Sequence, residues 1–337
     1  MAVRLGKFIE RLAQLVPVLL GVSFIVFVMM MLTPGDPVQI MLGDQLVSVE
    51  QEEAIRRDMG LDRPMHERFV LFLGNAATGD FGQSFFHRRP VADVIIERLP
   101  ATIELTLVAM ILAIGIAIPL GVLAAVKKNT IFDKVATVVS LFGVSMPHFW
   151  FGILLLLLFA VNLQILPVAG RIAYAYEVDP ITHLLLIDTL LRGRLDAFWN
   201  ALSHIILPAI TLGLPMAAIL TRVTRTSMIE VMNADFIKFA EAKGISRSRI
   251  IFRHGLKNAL IPTVTVAALE TGSLLGGNMI VETVFGWPGL GRLVVESIFA
   301  RNYPLVQAAV LFYAVTYVLL NFAADILYTV LNPRVKL

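Results

Sequence analysis

The chain has 337 residues, of which 57% are hydrophobic and 16% charged, with a formal net charge of +3. A soluble domain holds apolar residues closer to half of its composition; the surplus here is grouped in long blocks, which speaks against an ordinary soluble fold and for membrane spans. The small net charge gives no reason to expect nucleic acid, and with no cysteine present thiolate chemistry is excluded.

Crossing roughly 30 Å of hydrocarbon takes about 20 mainly apolar residues, and six blocks qualify. Leu12–Leu32 is the first and carries no charge. Arg4, Lys7 and Arg11 precede it as in a secretory signal, but the run is too long for a signal core. "TPGDP" (Thr33–Pro37) offers no small-x-small cleavage site, so a retained first span is expected. In the loop that follows, Ser48-Val49-Glu50-Gln51 reads as a capping box opening a short helix that ends near Gly60. Pro64 and Pro90 suit the first positions of two further helices, with Phe69, Val70, Leu73 and Val94, Ile95 as their apolar residues. Eleven acidic residues between 33 and 100 fit either a small lid or a solvated loop packed on the span ends.

The second span is expected at Ala101–Val126, with Glu104 near its start, and the third at about Val135–Val161. Leu202–Thr221, Ile261–Val281 (with Glu270) and Leu305–Val330 (with Asp325) complete the set. Interior prolines such as Pro17, Pro119, Pro147 and Pro215 are compatible with spans, because neighbouring helices can satisfy the freed backbone groups. Orientation follows the Lys/Arg bias. With a cytoplasmic N-terminus, the inner segments (1–11, 127–134, 222–260, 331–337) hold 16 Lys/Arg in 65 residues, against 12 in 131 for the outer ones. Both termini are therefore expected in the cytoplasm. The implied partition is a cytoplasmic N-terminus and first span (1–32), an external loop or lid (33–100) and a five-span core (101–337) with a cytoplasmic loop at 222–260.

Chemistry is sparse. There is no H-E-x-x-H, G-x-S-x-G or G-x-x-x-x-G-K-[ST], and the six histidines do not pair at metal-ligand spacing. Ser203 and His204 are adjacent, which on a helix turns them about 100° apart. Neither a metal site nor a catalytic one is expected. Intramembrane ionisable residues are costly and so are functional candidates. Glu270 stands near the middle of the fifth span, followed by Gly276 and Gly277, which permit close helix approach or local unwinding. It lines a polar path for a charged solute, or it is a carboxyl hydrogen-bonded within the bundle. Glu104 and Asp325, near span ends, fit interfacial solvation.

The segment 222–260 is richer. Asp235–Lys243 reads as one short helix broken by Gly244, and Ser246 can cap a second that runs to about Ala259. On the second, Ile250, Ile251 and Leu256 alternate with Arg247, Arg249, Arg253 and Lys257 at helical spacing. Such a pair is a topology signal, a basic strip on anionic lipid, or a docking knob for a cytoplasmic partner. The apolar face asks for something to dock against.

The run Ala240-Glu241-Ala242-Lys243-Gly244, followed by "RHGLKNALIP", resembles the cytoplasmic loop of binding-protein-dependent ABC importer permeases, in its peptide-importer form. The general motif has a glutamate six residues before the glycine; that place is Lys238 here, so Glu241 is not the motif glutamate. "TPGDP", "MGLDRP" (Met59–Pro64), "GDFGQSF" (Gly79–Phe85), "RLPATIELTL" (Arg98–Leu107), "ETVFGWPGLGR" (Glu282–Arg292) and "NYPLVQAAVLFYA" extend the resemblance over nearly the whole chain. The loop "YEVDPITHLLLIDT" (Tyr176–Thr189) is most similar to the dipeptide-permease branch.

The resemblance implies an all-α integral membrane subunit of type I ABC importer permease fold, with six transmembrane helices. It implies a second homologous permease, two cytoplasmic ATPases that bind ATP and Mg, and an external solute-binding protein. On this view the chain holds no cofactor and catalyses nothing. It carries short peptides inward through the lipid membrane, and no nucleic acid is involved. Asp235, Ala240, Ala242, Lys243, Gly244, Arg253, His254, Asn258 and Pro262 would form the ATPase-coupling loop, and Glu270, Gly276 and Gly277 the path. The rival from the residues alone is a stand-alone proton-coupled transporter using Glu270 and Asp325.

Overall fold

The computed structural model describes residues 2–32, 36–42, 48–58 and 60–331. Among them the regular structure is helical, with one isolated bridge between Gln83 and Pro90. In chain order the helices are α1 (Ala2–Leu32), α2 (Pro37–Leu42), α3 (Val49–Asp58), α4 (Met65–Thr78), α5 (Val91–Val126), α6 (Ile131–Ser145) and α7 (His148–Leu155). They continue with α8 (Leu185–Leu191), α9 (Leu195–Met232), α10 (Asp235–Ala242), α11 (Arg247–Arg249) and α12 (Leu256–Gly277). The last are α13 (Met279–Val284), α14 (Leu290–Phe299) and α15 (Tyr303–Leu331). Two π-helical turns, Leu156–Asn162 and Ile250–Gly255, continue α7 and α11.

The segments Val91–Val126, Leu195–Met232, Arg247–Leu275 and Tyr303–Ala324 are long and apolar enough to cross a membrane. At 36 residues α5 is about 54 Å long, well beyond the hydrocarbon thickness, so the helix expected after Pro90 runs on into the second span. Of the expected first span, Val16–Met29 is a described apolar stretch within the 31-residue α1. The third expected span is not one helix. Ile131–Gly143 and His148–Asn162 form a pair bent by 103°. Pro147 disfavours the α conformation at the residue before it, and Met146 is extended (φ −82°, ψ 132°). Pro17, Pro208 and Pro215 do lie inside helices; Pro147 instead ends one and starts the next.

The chain divides into two compact units, residues 1–100 with 288–318 and residues 101–287 with 319–337. In the first, the capping box forms as expected: the Gln51 amide donates to Ser48 Oγ (3.3 Å) and the Ser48 amide to Gln51 Oε1 (3.1 Å). Pro64 takes the cap position of α4 rather than its first turn. Phe69 packs on Phe24 and Phe27 of α1, with ring centroids 5.5 and 5.3 Å away, whereas Val70 is exposed. Asn302 is buried and joins two of the sequence motifs. It accepts from the Phe85 amide (3.2 Å) and donates to Ser84 Oγ (2.6 Å).

In the second unit α9 is the central post, packed against α6, α7, α8 and α12. Its contact with α5 is close because small residues permit it: a Cβ on Gly213 would stand 2.8 Å from the Ala109 carbonyl oxygen, and one on Gly121 2.6 Å from Thr224 Cβ. Two more motifs meet here. Thr102 donates to the fully buried Glu282 (2.7 Å), and the buried Trp287 indole donates to the Ala101 carbonyl (2.9 Å).

Candidate functional site

The basic segment forms the helix pair that its sequence outlines, with a different division of labour. α10 starts at Asp235, and Gly244 breaks the pair with φ +72°. A Cβ at Gly244 would have nothing within 4 Å, so the position needs glycine for its left-handed backbone and not for lack of room. Ser246 occupies the cap position of α11 without a side-chain cap bond. The second helix does not end near Ala259: it passes through the π turn Ile250–Gly255 directly into α12.

The apolar face expected to dock a partner is already occupied. Ile250 packs with Ile237, Ala240, Met232 and Ile245, and Ile251 with Met228, Val122 and Ala259. Burying two such side chains contributes about 1.5–3 kcal/mol each, which folds the segment onto the ends of α5 and α9. Ala240 is itself buried, 5% exposed, so it is a packing residue. Gly255 closes the contact, where a Cβ would meet Met232 Sδ at 3.0 Å.

The outward surface is made of other residues. Ala242, Lys243 and Gly244 are exposed at the tip, as are Asp235, Arg253, Asn258 and Pro262; His254 is half-buried. Beside them stand Phe236 (47% exposed), Phe239 (61%) and Phe252 (61%). Lys243 Nζ lies 4.4 Å from the centroid of the Phe239 ring, a cation–π contact. Sequence reasoning passed over these aromatics. Their signal was present, since Phe236 and Phe239 repeat at i, i+3 just as the buried Ile237 and Ala240 do. Lys238, at the place of the motif glutamate, pairs with Asp235 at 2.9 Å. Asn258 turns back to the His254 carbonyl at 2.8 Å.

The charged residues near the span ends are tied down. Glu104 is 5% exposed and is not solvated at an interface. Arg171 donates to its Oε2 from Nε (2.9 Å) and Nη2 (2.6 Å), and the Leu186 amide donates to Oε1 (2.6 Å). This pair anchors the loop after the π turn Leu156–Asn162 to the part of α5 that belongs to the second unit. In the same loop Asp188 accepts from the Thr182 hydroxyl (2.6 Å) and from the Thr182 and Ile181 amides (2.8 and 3.2 Å). Burial pushes the Asp188 carboxyl up, but these hydrogen bonds outweigh it and hold the group below the ordinary carboxylate value. At the other end of the bundle Arg225 makes two hydrogen bonds to the buried Asp133.

Glu270 is half-buried on α12, which ends at Gly277. The surroundings of Gly276 and Gly277, and the side chain of Asp325, lie outside the described residues. His204 Nδ1 faces the Asn200 carbonyl at 2.8 Å, so it carries the proton there and cannot act as base toward Ser203.

Residues 117–337 match the family described as binding-protein-dependent transport system inner membrane component, and residues 5–106 match its N-terminal region. The di/tripeptide transport system permease protein DppB of Pseudomonas aeruginosa is 42% identical over 327 residues, 97% of each chain. The dipeptide transport system permease protein DppB of Escherichia coli K12 is 41% identical over 331 residues, 97% of this chain and 98% of that one. The glutathione transport system permease protein GsiC of the same strain is 37% identical over 332 residues, 98% and 99% of the two chains. Among solved structures, an inward-facing MetNI methionine ABC transporter chain aligns with a TM-score of 0.50 and 17% identity, covering 71% of this chain and 96% of that one; this likeness supports the fold alone. The chain therefore belongs to the binding-protein-dependent transport system inner membrane components: it is a multi-pass permease subunit of an ATP-binding-cassette importer, non-catalytic itself and working with ATPase and binding-protein partners.

Proposed function

We propose that this chain is the first of two permease subunits of a peptide importer, passing dipeptides or short oligopeptides into the cytoplasm. The observation that carries the substrate class is similarity at 41–42% identity over almost the full length of relatives named for dipeptide and di/tripeptide transport. In this reading a second, homologous permease completes the pathway, two ATPases bind and hydrolyse ATP with Mg, and both termini lie in the cytoplasm. The excess of Lys/Arg in 222–260 supports that orientation.

The ATPase contact is assigned to the exposed tip Ala242-Lys243-Gly244 with Phe236, Phe239 and Phe252, flanked by Asp235, Arg253, His254, Asn258 and Pro262. Ala240 holds the tip from behind. Exposed aromatics beside a cation have the make-up of an interface anchor. Glu270, with Gly276 and Gly277 at the end of α12, is assigned to the path.

The test is purification of the intact complex followed by ATPase assays, with the binding protein present, against dipeptides, tripeptides and glutathione. Stimulation by di- or tripeptides is expected. Stimulation by glutathione alone would reassign the substrate, and failure of any ATPase to co-purify would count against the contact assigned to the tip.

A further inference from the structure

A groove with a cavity volume of about 570 Å³ runs between α5, α6 and α9 of the second unit. Leu120, Leu123, Phe132, Val135, Val139 and Phe142 form much of its wall, and the α6 side chains among them are more than half exposed. The polar side chain of Thr221 on the floor is satisfied, its hydroxyl donating to the Ala217 carbonyl at 2.6 Å. Such a wall accepts hydrocarbon and offers little to a polar ligand.

One end of this groove is strongly basic. Where α5 turns into α6, Lys127, Lys128 and Lys134 are exposed within eight residues. The nearby Asp133 carboxylate is hydrogen-bonded by Arg225 and the Asn129 amide and shares with these lysines only a coulombic attraction to Lys128, its weakest interaction. None of the three lysines forms an ion pair among the described residues. Lys127 folds back so that Nζ lies 4.3 Å from the ring centroid of Phe132, which itself lines the groove. A cation is thereby held at the mouth of an apolar channel.

We propose that this groove is a binding site for one anionic phospholipid. Its phosphate sits on Lys127 and Lys128, and an acyl chain lies along Phe132, Val135 and Val139. Charge complementarity selects this occupant. A basic pocket between transmembrane helices matches an anionic headgroup, whereas an apolar helix of another subunit would leave the lysines without a counter-charge. The site is separate from the basic strip of 247–257 and from the proposed ATPase contact.

The experiment uses the intact complex in a mixture of phosphatidylglycerol and phosphatidylcholine, with retained lipid read by native mass spectrometry. Preferential retention of phosphatidylglycerol is expected. Lys127→Gln with Lys128→Gln, Lys134 being kept for topology, is expected to lower that preference on the order of tenfold. Val139→Trp, which fills the channel, is expected to lower retention of both lipids. A photoreactive residue at position 139 in a chain with its native lysines is expected to label lipid. That arm stands even where the double variant fails to assemble. Equal retention of the two lipids, an unchanged preference in the double variant, or a cross-link to another protein subunit overturns the proposal.

Discussion

Glu104 shows how a single charge can be misjudged from its neighbours in sequence. Near a span end it looks like a solvated carboxylate, yet it is 5% exposed and held by Arg171 and the Leu186 amide. Removing one partner of a buried pair leaves the other charge uncompensated, at a cost of about 3–5 kcal/mol. Glu104→Gln and Arg171→Gln should each destabilise by that order, and the double variant by clearly less than their sum. A double-mutant cycle on thermal unfolding in detergent measures this. Asp188 makes a second case. Its folded carboxyl lies below the ordinary value, so its stabilisation is fully present above about pH 4 and is lost as pH falls further. Limited proteolysis of the Tyr176–Thr189 loop should accelerate below about pH 4, and Asp188→Asn should show fast cleavage already at neutral pH.

Elements were legible where local chemistry decides them. The capping box at Ser48 and the break at Gly244 depend on a few adjacent residues, and both stand where the sequence puts them. Periodicity identified Ile250 and Ile251 as one apolar face but could not say what covers it. The cover comes from Met228 and Ile237, on other helices. The bend at Pro147 escaped for a related reason. Pro208 and Pro215 are absorbed within α9 whereas Pro147 is not, and only packing distinguishes them. Helix contacts give a paired prediction. Gly121→Ala forces a methyl to within 2.6 Å of Thr224 Cβ, while the same change at Gly115 meets nothing within 4 Å. The first should cost about 1–3 kcal/mol and the second be neutral, as read by melting temperature. At Gly244 the cost is conformational: Gly244→Ala should lose about 1–2 kcal/mol locally, and Gly244→Asn, which tolerates a left-handed backbone, should retain more of the peptide-stimulated ATPase rate.

At the scale of the whole chain, motifs far apart in sequence prove to be partners within each unit. "GDFGQSF" meets "NYPLVQ" through Ser84 and Asn302, and "RLPATIELTL" meets "ETVFGWPGLGR" through Thr102–Glu282 and the Trp287 indole. No local pattern announces such pairings, which is why the resemblance could carry the fold while the residues alone could not. If the exposed aromatics seat the ATPase, Phe236→Ala with Phe239→Ala should leave membrane insertion intact and abolish peptide-stimulated hydrolysis. Equal stimulation in the variant and the parent complex would remove those rings from the contact. The unbroken run from Arg247 to Leu275, 29 residues and about 44 Å, has a mechanical meaning. If the ATPase contact lies at the tip, the run would act as a pushrod, carrying an axial displacement from its basic end toward the far end. Pro262 is one place inside it where it can yield. Further slack resides in the wide turn at Ile250–Gly255. The bend at Gly244 lies outside the rod, and Ile237 and Ala240 clamp α10 to Ile250 at the rod's base, so a displacement of α10 would be passed to the rod through that packing.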